Sequence, residues 1–550
     1  MGPGVVSLRI LKIGLDTSAT VVFVYGLSRW LSVICPRVRA RRRTFVVLFP
    51  FVATANAFGY GMFGQTVSYN SLNADALMLC YGLFLPALAP HRRFTVYSVG
   101  AYMLAGMVAG VDFFVKFSSS VPLFCICAVA VTVVGGYTRY RDRFLSAASL
   151  AIGYLLGLAL FFEFFLDART WASHFRMNVS AQSLSSHNPS QLFSSMALSI
   201  GVFVALIVLQ AVVSGMLFLL IARASRGAGC SVTARVGVGL LKLLVLFALT
   251  VIALQETLQP CLGGWGTVMG FGTIIASVCG LAAIRTHTTV ADVPTLIARN
   301  RYVLSAMVLM LIAPFIGVLG SNVPLLSAAG SYMTFWSALI AVLLLHLPST
   351  TWTARGLIPG LWAAPPLLVI ALTVQGLILH PFGVPTSLFS QTELLATSGD
   401  LRGLRVDWQT AQFFRVTRRF VLEDAGFYPG SPIIAAYDLP GLVYVLGGVS
   451  PGAPWFFADE PQQQLNCVEL RSSRLNKLRH AIVLVMPAML PPFKMLLANL
   501  YAASGSVMRV AKGDRRVCAN GMSASQAAVR TKLSAVAINR WSKRVFARPM

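Results

Sequence analysis

Twelve apolar runs, each long enough to cross a bilayer, occupy most of the first 380 residues. A membrane-spanning helix needs about 20 predominantly apolar residues, with a range of roughly 17–25. The runs lie at about 5–28, 44–64, 71–89, 97–115, 119–136, 145–165, 196–221, 238–257, 266–284, 302–320, 329–347 and 358–380. The sequence therefore predicts a polytopic α-helical membrane protein with about twelve transmembrane helices in a membrane domain at 1–380.

Arginines fall in every second loop, and this alternation orients the predicted helices by the positive-inside rule. The basic loops contain Arg29, Arg37, Arg39, Arg41, Arg42 and Arg43; Arg92 and Arg93; Arg139, Arg141 and Arg143; Arg223, Arg226 and Arg235; Arg285, Arg299 and Arg301; and Arg355. We assign these loops to the cytoplasm. The outer face then receives 65–70, the link near Lys116, the loop 166–195 and everything after about 380.

The charge balance points to the membrane and not to a polyanionic partner. Hydrophobic residues make up 56% of the chain and charged residues 11%, with a mean hydropathy of +0.73. The net charge of +26 comes mostly from short loops, so we predict no nucleic-acid partner. The nine cysteines show no CxxC pair and no His/Cys spacing, which predicts no zinc site.

The composition changes after about residue 391, where turn residues separate shorter periodic segments. We predict strands at 404–407, 432–437 and 481–485, and an amphipathic helix at 408–424. These segments indicate an extracytoplasmic α/β domain at 391–500, followed by a basic tail at 505–550.

Polar residues are dense in the stretch Gln65 to Asp75, between two apolar runs. Uncompensated amides and carboxylates at membrane depth cost several kcal/mol, so such a cluster is typical of a cavity wall or a helix interface. On a helix, Asn70 and Asn73 share a face, and Asp75 lies about one turn inside the span. The alternative is a connecting loop in which Ser71 or Asn70 caps the next helix.

Lys116 lies between two apolar runs, next to the hydroxyls of Ser118, Ser119 and Ser120. A lysine at the membrane edge suits the phosphate of a lipid-linked substrate, because its ammonium group is a compact point charge. Two alternatives stay open: snorkelling towards head groups, and an ion pair with Asp112 one turn earlier.

Phosphate loops, dinucleotide fingerprints, GxSxG and HExxH motifs are absent from the sequence, which argues against a nucleotide-driven pump or a grafted hydrolase.

These features together resemble the bacterial membrane glycosyltransferases of the GT-C fold, the superfamily of protein O-mannosyltransferases and lipid A aminoarabinose transferases. The resemblance rests on Ser68-Tyr69-Asn70-Ser71-Leu72, the Gly-x₃-Gly-x₅-Lys-Phe-Ser run at 106–118, the Gly-Ser-Asn loop at 320–322 and the C-terminal domain. It implies an enzyme of the bacterial cytoplasmic membrane that moves a sugar from a polyprenyl-phosphate donor to a lipid, glycan or protein acceptor on the outer face.

The resemblance also implies roles for individual residues. Lys116 matches the phosphate-contacting position, and Tyr69 and Asn70, with Asn73 on the same helix, would line the substrate pocket. Catalysis would need a carboxylate as general base and a cation for the departing phosphate, which allows a divalent metal ion as cofactor without requiring one.

The sequence departs from this family at the catalytic general base. The family carries an Asp or Asp-Glu in a first outer loop, after a helix that enters from the cytoplasm, and this chain starts beyond both. We therefore expect a lost upstream helix and loop, with Asp75 as the candidate catalytic residue and Asp167 and Glu163 as further candidates. A multi-pass transporter or flippase, and a non-catalytic homologue acting as a membrane scaffold, are the alternative functions.

Overall fold

The structure is a computed structural model. It describes residues 5–34, 41–62, 67–89, 95–134, 139–173, 293–320, 332–346, 386–395, 404–423, 427–436, 440–451 and 481–485, with scattered residues at 175–212 and 370–379. These residues divide into two compact units. One unit holds those of Val5–Thr170 and Ser190–Phe389, and the other holds those of Trp171–Pro189 and Ser390–Met550.

The first unit is helical throughout its described part. Its helices are α1 (Val5–Ile34), α2 (Arg41–Met62), α3 (Tyr69–Leu88), α4 (Val96–Val133), α5 (Tyr140–Phe164), α6 (Val293–Val318) and α7 (Met333–His346), and a 3-10 turn follows at Leu388–Ser390. Among the described residues, five helices are long and apolar enough to cross a membrane: α1, α3, α4, α5 and α6. The protein is therefore a helical membrane protein. The predicted spans at 196–221, 238–257, 266–284 and 358–380 fall outside the described residues, apart from isolated positions.

Helix α4 is interrupted at Lys116, as the two apolar runs on either side of this residue predict. A continuous helix of 38 residues would be about 57 Å long, nearly twice the hydrocarbon thickness of a bilayer. Lys116 instead has extended backbone angles (φ −156°, ψ 84°). The Ser120 hydroxyl donates a 2.6 Å hydrogen bond to the Ala109 carbonyl, so the two halves of α4 fold back on each other as a helical hairpin with Lys116 at its tip.

Glycines let the helices of this unit approach one another at backbone contact. A Cβ on Gly153 or Gly157 of α5 would collide with the carbonyl oxygens of Met103 and Met107 on α4. A Cβ on Gly26 of α1 would likewise collide with the Gly82 carbonyl of α3. Small residues at such spacings favour helix association in lipid, where dispersion contacts and not water exclusion drive packing.

Aromatic side chains fill the centre of the helical unit. Phe335 of α7 packs edge-on against Phe23 of α1 and Tyr81 of α3, with ring centroids 5.4 and 5.5 Å apart. These residues are fully buried or nearly so, as are Trp30 and Trp336. Helices that are distant in the sequence therefore share one core.

The second unit combines strands with helices, in agreement with the elements predicted after residue 391. Its elements are β1 (Glu393–Leu394), β2 (Arg405–Val406), α8 (Trp408–Glu423), β3 (Ile433–Ala436), α9 (Pro440–Leu446) and β4 (Ile482–Val485). Strand β3 runs parallel to β4, with Ile433 opposite Ile482, and β1 pairs antiparallel with β2. Helix α8 begins at the predicted residue because the Asp407 carboxylate caps it, accepting from the Thr410 amide at 3.0 Å.

Candidate functional site

The carbonyl of Gly317 is the centre of a polar cluster at the tip of the α4 hairpin. It accepts hydrogen bonds from Lys116 Nζ at 2.7 Å, Asn73 Nδ2 at 3.0 Å and the Tyr332 hydroxyl at 2.8 Å. Helix α6 ends one residue later, so this carbonyl has no partner within its own helix. Three side chains from three other segments therefore cap α6, and the lysine charge suits a helix C-terminus. We call Asn70, Asn73, Lys116, Ser119 and Tyr332 the Gly317 cluster.

Local sequence explains why α6 stops at this point. Gly320 has a left-handed backbone (φ +76°), the conformation that commonly ends a helix and that glycine adopts without strain. The Ser118 hydroxyl donates a 2.6 Å hydrogen bond to the carbonyl of Leu319, which satisfies a second terminal group. A Cβ on Gly317 would collide with the Tyr332 ring, so glycine is needed for the close approach of this tyrosine.

The buried amide of Asn73 connects the cluster. Its Nδ2 also donates to the Tyr332 hydroxyl at 2.9 Å, and its Oδ1 accepts from the Ser119 hydroxyl at 2.6 Å. Lys116 Nζ donates in addition to Asn70 Oδ1 at 3.2 Å and lies 5.9 Å from the centre of the Tyr69 ring. The structure thus brings together four of the sequence-predicted residues: Tyr69, Asn70, Asn73 and Lys116.

Among the described sequence-predicted residues at the cluster, Tyr69 is the exposed one. Asn73 and Lys116 are buried, Asn70 is half-buried, and Tyr69 is 57% exposed. Ser68 caps α3 in a reciprocal arrangement with Ser71, so the helix start is fixed and Tyr69 follows the cap directly. A ligand that approaches Lys116 from the side of Tyr69 would also meet Asn70.

Asp112 lies near Lys116 on α4 and is 1% exposed. Neither of its carboxyl oxygens has a hydrogen-bond partner among the described residues. The predicted Asp112–Lys116 contact is therefore electrostatic at longer range, since no ion pair within 4.0 Å joins them in the described part of the chain.

Asp75 lies apart from the other predicted residues. It follows Asn73 by two positions, which corresponds to about 200° around a helix. Asn73 consequently faces α4 and α6, whereas the carboxyl group of Asp75 contacts that of Asp16 on α1. Lys12 Nζ lies 3.6 Å from Asp16 Oδ2. We call Lys12, Asp16 and Asp75 the buried triad, since each is at most 9% exposed.

A cavity of about 300 Å³ reaches the buried triad at Asp16. Its lining comprises Ile13, Asp16, Thr17, Thr20, Phe49, Ala53, Asn56 and Ala57 from α1 and α2. The Asn56 amide donates to the Thr20 hydroxyl at 2.9 Å and to the Asp16 backbone carbonyl at 3.2 Å. Polar groups of two helices therefore border the space beside the carboxyl pair.

Sequence reasoning missed Lys12 and Asp16, although a signal was available. The two charged residues are four positions apart inside an apolar run, so they share a helix face at membrane depth. The roles of the Gly317 carbonyl and of Tyr332 could not be seen in the sequence. Every residue has a backbone carbonyl, and a single tyrosine in an apolar region has no spacing that marks it as functional.

The two further acidic candidates lie on the surface. Asp167 accepts hydrogen bonds from the hydroxyl and amide of Thr170 and from the amide of Arg169, and these contacts lower the pKa of its carboxyl. Glu163 is exposed near the end of α5. Asp167 thus acts as a local cap.

Within the described ranges, no group of three or more His, Cys, Asp or Glu side chains could hold a metal ion.

Comparisons of the chain with protein-family models, with curated proteins and with solved structures found no match.

Proposed function

We propose that this chain is a membrane glycosyltransferase that takes a sugar from a polyprenyl-phosphate carrier. The acceptor would be a lipid, a glycan or a protein on the outer face of a bacterial cytoplasmic membrane. The observation that carries the proposal is the position of Lys116, whose ammonium group is fixed at the tip of a helical hairpin by Gly317 and Asn70.

The geometry of Lys116 suits a phosphate ligand. A lysine has three N–H donors, and within the described residues two of them are used by Gly317 and Asn70. The third donor can bind an anion that approaches past the exposed Tyr69. Because the ammonium group is already ordered, little side-chain entropy would be lost on binding.

The general base of the proposed reaction remains a prediction. Asp75 is the fallback candidate for this base, since the family carries its catalytic Asp in a first outer loop. Asp75 belongs to the buried triad, whereas Lys116 belongs to the Gly317 cluster. The two groups flank α3 from different sides, so a sugar linked to a phosphate at Lys116 would have to extend around this helix to reach Asp75.

The buried triad supports one alternative, a proton-coupled transporter. Ionisable residues inside membrane helices commonly form proton or ion pathways, and Lys12 and Asp16 lie within α1 away from the Gly317 cluster. The two functions differ in product: a transferase forms a glycosylated acceptor, whereas a transporter moves solute across vesicles without any covalent change.

Binding of undecaprenyl phosphate to the full chain in lipid nanodiscs tests the proposed function, with undecaprenol as the ligand that lacks the phosphate. We expect the phosphate to bind more tightly. We also expect Lys116→Gln to weaken it by about 10- to 150-fold, the equivalent of a charge-assisted hydrogen bond of about 1.5–3 kcal/mol.

The exposed Arg169→Gln is the matched control and should leave binding unchanged. Because Lys116→Gln also removes a helix cap, Tyr69→Ala at the exposed side serves as a second variant that keeps the cap. Equal affinity for phosphate and alcohol, or unchanged binding in both variants, would contradict the proposal.

A further inference from the structure

The buried triad brings two carboxyl groups from separate helices into direct contact. Asp16 lies on α1 and Asp75 on α3; both residues are buried, and their carboxyl groups interact directly with each other. An ionised carboxylate only accepts hydrogen bonds, so two carboxyl groups that face each other can be joined by a hydrogen bond once one of them carries a proton. Two adjacent carboxyl groups buried inside a membrane protein would not both stay ionised.

We propose that Asp16 and Asp75 form a proton-binding site in which the two carboxyl groups share one proton and Lys12 balances the remaining negative charge. This inference goes beyond the proposed function and does not depend on it. The ligand of the site is a proton exchanged with water.

The charge balance of the triad supports a single proton. One ammonium and one shared-proton carboxyl pair sum to zero, which is the arrangement that burial at membrane depth favours. Lys12 and Asp16 are the charged groups acting on Asp75 among the described residues. Helix α2 contributes the neutral Asn56, and the charged residues of α4, Asp112 and Lys116, lie towards the Asn73 side of α3.

The cavity supplies a route for exchange. Its volume of about 300 Å³ leaves room for water, and although most of its lining surface is apolar, Asp16, Thr17, Thr20 and Asn56 offer hydrogen-bond partners. Asp16 belongs to this lining, and Asp75 lies behind it on α3. A proton can therefore pass from water to Asp16 and on to Asp75.

A divalent metal ion fits this site less well than a proton does. The pair offers two carboxyl groups, and hard cations such as Mg²⁺ also require near-ideal octahedral oxygen coordination. Lys12 would in addition repel a cation placed between the carboxylates. The ammonium group of Lys12 therefore favours binding of a proton, which adds one positive charge, over binding of a divalent ion, which adds two.

Infrared difference spectroscopy of the full chain in nanodiscs tests the inference, because a protonated carboxyl group has its own C=O stretching band. We expect the wild type to show this band at neutral pH, with a shift in heavy water. Asp75→Asn should remove the band, since Asp16 can then ionise beside Lys12, and Asp16→Asn serves as a second variant with the same expectation.

Two further variants serve as controls. Asp112→Asn removes any C=O band that comes from the buried Asp112, and Asp167→Asn, at an exposed position, should leave the spectrum unchanged. A wild type whose only such band is that of Asp112, a band not due to Asp112 that survives both triad variants, or a triad band abolished by excess Mg²⁺ would each overturn the inference. A chain that keeps the band but does not bind undecaprenyl phosphate would contradict the proposed function alone.

Discussion

Lys116 donates a 2.7 Å hydrogen bond to the carbonyl of Gly317, 201 residues further along the chain. The bond joins the tip of the α4 hairpin to the end of α6. A cation that closes a helix end and also faces a proposed phosphate site couples the stability of the helical unit to ligand binding. Variants of the surrounding residues should therefore change both properties.

The Asn73 amide makes three hydrogen bonds in the Gly317 cluster, so we expect Asn73→Ala to destabilise the helical unit by about 1–3 kcal/mol. The substitution leaves the Ser119 hydroxyl without this acceptor and leaves Gly317 with one donor fewer. Thermal unfolding in detergent measures the effect. Thr132→Ala, which removes an exposed hydroxyl bonded only within its own helix, should leave the unfolding midpoint almost unchanged. Equal midpoints for the two variants would show that the cluster contributes nothing.

Gly153 of α5 contacts the backbone of α4, so we expect Gly153→Ala to push the two helices apart at a cost of about 1–3 kcal/mol. The added methyl group meets the Met103 carbonyl, a backbone atom that cannot rotate away. Gly100→Ala is the matched control, because a Cβ at Gly100 meets nothing within 4 Å and alanine is the better helix former. Thermal unfolding should thus show a lower midpoint for the first variant and an equal or higher midpoint for the second. A midpoint for Gly153→Ala at or above the wild-type value would refute the close packing.

Lys12 is the positive partner of the buried triad, so we expect Lys12→Met to destabilise the helical unit by about 3–5 kcal/mol. The change leaves the carboxyl pair with an uncompensated charge at membrane depth. The double variant Lys12→Met/Asp75→Asn should recover much of this loss, since Asp16 can then take up a proton and become neutral. Equilibrium unfolding in a double-mutant cycle gives the coupling energy.

The exposed pair Arg419 and Glu423 in the second unit has the same four-residue spacing and provides the comparison. Arg419→Met should cost no more than about 0.5 kcal/mol, because water screens an exposed ion pair. Additive effects of Lys12→Met and Asp75→Asn, with no recovery in the double variant, would count against a charge-balanced triad.

Several features of the fold were predictable from local sequence. The two apolar runs around Lys116 predict the interruption of α4, and the amphipathic pattern that begins at Trp408 predicts α8. The structure places Tyr69, Asn70 and Asn73 near Lys116, and the roles assigned to them stay predictions. The number of membrane spans is not settled in the same way. Five helices of the described part are long and apolar enough to cross a membrane, and the total of twelve stays a prediction.

Asp75 shows where local sequence reasoning ends. Its depth in α3 follows from counting residues, and a carboxylate at that depth needs a partner or a function. The identity of the partner could not be deduced, because Asp16 lies on another helix and Asn73, two positions away on the same helix, faces a different neighbour. The cavity beside Asp16 likewise exists only where α1 meets α2.

The sequence by itself determined that the chain has helices long and apolar enough to cross a membrane, where α4 turns back at Lys116 and where a mixed α/β unit begins. These properties depend on hydropathy, length and local caps, which act over a few neighbouring residues. The tertiary structure decided that Lys116 caps Gly317, that Asp16 meets Asp75 and which glycines touch a neighbouring backbone. The physical reason is that lipid is as apolar as leucine, so hydropathy leaves the packed face of a helix undefined and only shape and hydrogen-bond fit between helices select it.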